Sequence, residues 1–71
     1  MAYNQQLSTD RDFESAIARQ IRIRVFEDDQ MVDAGAIVVR FDDTTVVVQS
    51  SVSDLAYRAR ERCAFFEMRP R

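Results

Sequence analysis

Seventy-one residues with a formal charge of −2, a single cysteine and no histidine allow one domain and no more, and exclude both an intrachain disulfide and a conventional structural zinc site. The charge also excludes a uniformly basic nucleic-acid binder. A chain this short hides only about 60% of the surface its unfolded form exposes, so oligomerisation is the expected extra source of stability.

Residues 1–8 read as a polar, adaptable lead-in, and residues 9–71 as the domain proper. The opening Met-Ala-Tyr-Asn-Gln-Gln lacks the basic and apolar regions of a signal peptide. Thr9 is a good N-cap, and Asp10, Asp12 and Glu14 put negative charge on a first helical turn. Phe13, Ala16, Ile17 and Ile21 follow at helical spacing. A helix is predicted over 9–20.

The period then changes. Ile21, Ile23 and Val25 alternate with Arg22 and Arg24, the pattern of a half-buried strand. A polar turn over residues 27–30 leads to a second strand at about 31–41. That strand holds the only glycine of the chain, Gly35, which marks a bulge or bend. Asp42, Asp43 and Thr44 form a tight turn before a third strand over 45–50. Residues 36–39 and 46–48 are apolar in both side-chain directions, which one small sheet with one helix does not cover. A closed barrel, a neighbouring subunit or both are expected to cover them. The longest apolar run, residues 34–39, is too short to span a membrane.

Residues 55–68 fit two patterns. A helix capped by Ser53 would bury Leu55, Ala59, Cys63 and Phe66. Strands would set Arg58, Arg60 and Arg62 on one side and Leu55, Tyr57 and Ala59 on the other. The aromatic run after Glu61 favours two short strands with a kink near that residue, with Pro70 as the stop.

Chemistry-bearing motifs are sparse. One glycine rules out glycine-rich phosphate loops, and a catalytic thiolate at Cys63 would lack a histidine base. The acid pairs Asp28-Asp29 and Asp42-Asp43 fall in turns, where aspartate caps its own backbone; a weak divalent-cation site is the functional alternative. No enzyme activity, cofactor or metal is expected. A lone cysteine fits a reducing compartment, so the chain is read as cytoplasmic.

Charge is unevenly distributed. Residues 1–56 carry five arginines against ten acids, and residues 57–71 carry five arginines against two. All ten basic residues are arginine, the side chain suited to planar recognition of phosphate and to stacking. Arg58, Arg60 and Arg62 with Tyr57 therefore form a candidate site for single-stranded nucleic acid, cations on phosphates and a ring on a base.

The order of these elements, with the stretch Gly35-Ala36-Ile37-Val38-Val39-Arg40-Phe41-Asp42, then Val46-Val47-Val48 and Tyr57-Arg58-Ala59, resembles the Sm-like proteins and, within them, the bacterial Hfq RNA chaperones. The resemblance implies a mainly β fold with one N-terminal helix, a small, strongly bent, five-stranded antiparallel barrel of SH3 type. It further implies a homo-oligomeric ring that binds single-stranded RNA without catalysis, with no membrane involved. Ala59 stands where the Hfq pattern has histidine, Thr44 or Thr45 near its stacking aromatic, and Asp28-Asp29 replaces its Asn-Gly turn. Only Arg58 carries over as a phosphate-binding cation. A small oligomeric protein-interaction module that does not bind nucleic acid is the alternative.

Overall fold

The computed structural model describes residues 5–68. The expected stop at Pro70 and the first four residues of the lead-in lie outside that range. The elements are β1 (Gln6–Leu7), α1 (Asp10–Arg19), β2 (Arg22–Glu27), β3 (Gln30–Phe41), β4 (Thr45–Ser51), β5 (Asp54–Ala59) and β6 (Cys63–Glu67).

The helix ends are chemically explicit. Thr9 Oγ1 accepts the Asp12 N–H at 3.1 Å, and Asp12 Oδ2 accepts the N–H groups of Thr9 and Ser8. This reciprocal box satisfies donors that have no intrahelical partner. At the other end Gln20 adopts a left-handed conformation, φ 53°, and its N–H returns to Ile17 while that of Ile21 returns to Ala16. The chain thereby leaves the helix directly into β2.

The sheet has six antiparallel strands in the order β1-β6-β2-β3-β4-β5. Strand β3 is the spine, paired with β2 on one side and β4 on the other. Its register jumps past Val32 and Gly35 against β2 and past Val39 against β4. Each bulge adds a residue on one strand and bends it. Gly35 has φ +80°, a left-handed conformation that penalises a Cβ. The β2–β3 hairpin turns through Asp28 and Asp29, both with positive φ, as its handedness requires.

Bending wraps the sheet around one core. Phe13 of α1 packs edge-on against Phe65, with centroids 5.4 Å apart, and against Phe41 at 5.5 Å. Ile23, Val25, Ala36, Val38, Val46 and Val48 complete the interior with Leu7 and Ala16.

Two expectations are corrected. The sheet does not close into a five-stranded barrel. Among the described residues β5 pairs only with β4, and the outer side of β6 is taken by β1, so the hydrogen-bond circuit stays open between β1 and β5. Part of the polar lead-in, Gln6–Leu7, is itself a strand, with Leu7 buried in the core. The tail is strand, turn and strand, with residues 60–62 in the turn; the helical alternative for 55–68 does not occur.

Candidate functional site

The β5–β6 turn holds the arginines that the alternating pattern had aligned on one strand face. Only Arg58 lies on a strand. Arg60 and Arg62 sit in the turn, where the Arg62 N–H bonds the Ala59 carbonyl at 3.2 Å. The three side chains point to three different places.

Arg58 points into the concave side of the sheet. Its Nε donates to Asp33 Oδ2 at 2.8 Å, and the two side chains are 24% and 11% exposed. Asp33 belongs to β3, which is separated from β5 by β4, so this pair spans the curve of the sheet. The Asp33 hydrogen bond pushes the Arg58 pKa above its ordinary value, because it stabilises the charged form.

Arg60 is a clasp. Its Nη1 donates to the Asp42 carbonyl at 2.8 Å, and its Nη2 to Asp10 Oδ1 at 2.7 Å and more weakly to the Ser8 carbonyl. The guanidinium lies 4.9 Å from the Phe13 ring centroid and 5.5 Å from that of Phe41. It joins the start of α1, the β3–β4 turn and the β5–β6 turn. Arg62 is the loosest, 3.8 Å from Glu27 and largely exposed.

Tyr57 alone among the expected site residues presents its ring to solvent, 63% exposed. It stands on the convex face of β5 opposite Val47, whose partner on β3 is Arg40. Arg40, Phe41, Asp42, Thr45, Val47 and Tyr57 line a shallow cavity of about 330 Å³. Sequence reasoning missed Arg40, which makes no ion pair among the described residues. Its one signal was position: an arginine beside the core residue Phe41 at the end of a strand.

Turn chemistry accounts for Asp42. Its Oδ1 accepts the N–H groups of Thr44 and Thr45 at 2.9 and 2.8 Å, and these donors hold its carboxyl below the ordinary aspartate value. Burial, helped by Glu27, pushes the Cys63 thiol up, which disfavours the reactive thiolate. Among the described residues no three His, Cys, Asp or Glu side chains cluster to hold a metal, and no helix is long and apolar enough to cross a membrane.

The second feature is the open edge. Among the described residues no strand lies beyond β5, and Leu55 joins Tyr57 on its convex face, 53% exposed. Comparison with protein-family models, curated proteins and solved structures finds no match, so the reading of this chain rests on its own geometry.

Proposed function

We propose that this chain is a small, non-catalytic protein-interaction module that works by lending the open β5 edge of its sheet to another polypeptide. The observation that carries this reading is the contrast along residues 54–62. The backbone edge and the apolar side chains Leu55 and Tyr57 are free, whereas Arg58 and Arg60 are held by Asp33 and Asp10 of the same chain. An extended strand added there would gain main-chain hydrogen bonds and an apolar contact together. Natural edges are often guarded by lysine, proline or inward-pointing charges; β5 contains neither lysine nor proline, and its inward-pointing charge, Arg58, is neutralised by Asp33.

A second reading, single-stranded RNA on an Sm-like assembly, draws support from the row Arg40–Val47–Tyr57, an exposed cation and an exposed ring flanking an apolar floor. It has less support at Arg58 and Arg60, whose guanidiniums already serve the fold. A head-to-tail ring joining β5 to β6 of a neighbour would also need the β6 edge that β1 occupies along Phe65 and Phe66.

One experiment separates the two. Light scattering of the wild type and of Leu55→Pro is paired with titration of a short single-stranded RNA at low and moderate salt. The interaction module predicts association that Leu55→Pro reduces, and no RNA affinity that falls steeply with salt. Salt-sensitive RNA binding lost in Arg40→Glu and Tyr57→Ala would overturn it in favour of the RNA reading.

A further inference from the structure

We infer that the occupant of the β5 edge is β5 of a second copy, paired antiparallel about a two-fold axis with Ala56 opposite Ala56. This rests on the edge reading above and adds the partner and its register.

The phase of the edge follows from one hydrogen bond. The Arg60 N–H donates to the Thr44 carbonyl at 2.8 Å, and the same register continues through Val46–Arg58 and Val48–Ala56. In an antiparallel ladder such pairs alternate with pairs whose main-chain groups face the other way. The N–H and C=O groups of Leu55 and Tyr57 therefore point away from β4, and neither residue makes a turn or loop backbone bond among the described residues.

A regular ladder sets outward-facing residues opposite outward-facing residues. Two copies of β5 can therefore meet only with Ala56 on the axis, with Tyr57 on the axis, or with shorter overlaps. The Ala56 register is self-complementary. Leu55 faces Tyr57 of the second copy on the convex side, twice by symmetry, and each such pair exchanges two backbone hydrogen bonds. Asp54 faces Arg58 of the second copy, again twice. Asp33 uses only Nε of Arg58, which leaves the rest of the fork for that carboxylate. The small Ala56 side chains meet at the axis, a non-hydrogen-bonded pair, where strands approach most closely. The Tyr57 register instead sets Ala56 against Arg58, Leu55 against Ala59, whose carbonyl the Arg62 N–H already takes, and Asp54 against Arg60, whose fork is already engaged by Asp10 and the Asp42 carbonyl. A two-fold contact uses one patch twice and closes on itself, so it needs nothing from the β6 edge that β1 covers.

Disulfide trapping reads the register directly. Ala56→Cys and Tyr57→Cys are each made with Cys63→Ser, oxidised mildly, and compared with light scattering and amide exchange of the wild type. A dimeric mass, slow exchange at Leu55 and Tyr57, and covalent dimers from Ala56→Cys but not Tyr57→Cys are expected, since bridged Cα atoms must lie within about 7 Å. Leu55→Pro should weaken association by about tenfold or more, because it deletes an outward N–H without touching the β4 ladder. Trapping at residue 57 alone overturns the register. Slow exchange at Leu55 and Tyr57 in an assembly larger than a dimer overturns the two-fold pairing and leaves the edge reading standing. An oligomer whose Leu55 and Tyr57 amides exchange freely overturns both, and a monomer overturns the dimer.

Discussion

Nη2 of Arg60 lies 2.7 Å from Oδ1 of Asp10, fifty residues earlier in the chain. That contact brings the first turn of α1 against the β5–β6 turn, while Nη1 of the same guanidinium holds the Asp42 carbonyl between them. Arg60 is only 16% exposed, but Asp10 is 64% exposed, so the ion pair by itself contributes little. The bond to the carbonyl and the stacking on Phe13 and Phe41 carry more. Arg60→Ala should cost roughly 2–3 kcal/mol, a fall in Tm on the order of 10–20 °C. Arg60→Lys should recover part of it, because a single ammonium does not reproduce the fork. A melting curve for Arg60→Ala that overlays the wild type would show that the clasp is idle.

The pair across the curve of the sheet makes a separate prediction. Arg58→Glu sets a second carboxylate against Asp33 in a partly buried site and should destabilise by about 2–3 kcal/mol, below the range for fully buried pairs. The charge swap Arg58→Glu with Asp33→Arg should restore most of the loss, a coupling that a double-mutant cycle measures. Additive losses in the two single variants would argue against a direct interaction.

Backbone conformation, not space, sets the tolerance at one bulge and one turn. A Cβ built on Gly35 meets nothing within 4 Å, yet its φ is +80°. Gly35→Ala should therefore cost roughly 1–2 kcal/mol, and Gly35→Val more, since branching restricts the backbone further. Asp29, with φ 65° at the second position of the β2–β3 turn, is the mirror case. Asp29→Gly should leave stability unchanged or raise it by up to about 1 kcal/mol. Equilibrium urea unfolding of the three variants reads both signs.

Acid sensitivity should trace to two capping carboxylates. The Ser8 and then the Thr9 N–H groups lower the Asp12 pKa from 3.8, and those of Thr44 and Thr45 lower that of Asp42. A carboxyl whose folded pKa is depressed contributes stability that is present above the unfolded value and is lost as pH falls through the folded one. The gap in urea midpoint between the wild type and Asp12→Asn or Asp42→Asn should thus be full at neutral pH and shrink below about pH 4. A gap constant down to pH 2 would assign the effect to shape and not to charge.

Local chemistry made much of the fold legible. The helix was readable from Thr9 and the Phe13–Ala16–Ile17 stripe, and the structure places it at Asp10–Arg19 with Thr9 as its cap. The strands around Gly35 and Val46–Val48 followed from alternation and from the glycine that interrupts it. The tail divided near Glu61 as its aromatic run suggested. These features depend on neighbours a few residues apart, and propensity and period report such neighbours directly.

Long-range partners were not legible. Strand β1 has one apolar residue and no period, and exists because β6 offers it an edge. Alternation at 58, 60 and 62 read as one basic strand face, but the chain leaves β5 after Ala59 and sends each arginine to a different acid. Asp33 and Asp10 lie 25 and 50 residues from their partners, a separation at which sequence holds composition and not pairing. The sequence by itself determined the elements, the bends and the supply of arginines and acids. Only the tertiary structure decided that the sheet stays open, that Arg58 and Arg60 are committed to the fold, and that β5 is, with the two-residue β1, an edge of the sheet. Those outcomes depend on which strands reach which edges once the core around Phe13 and Phe65 has closed.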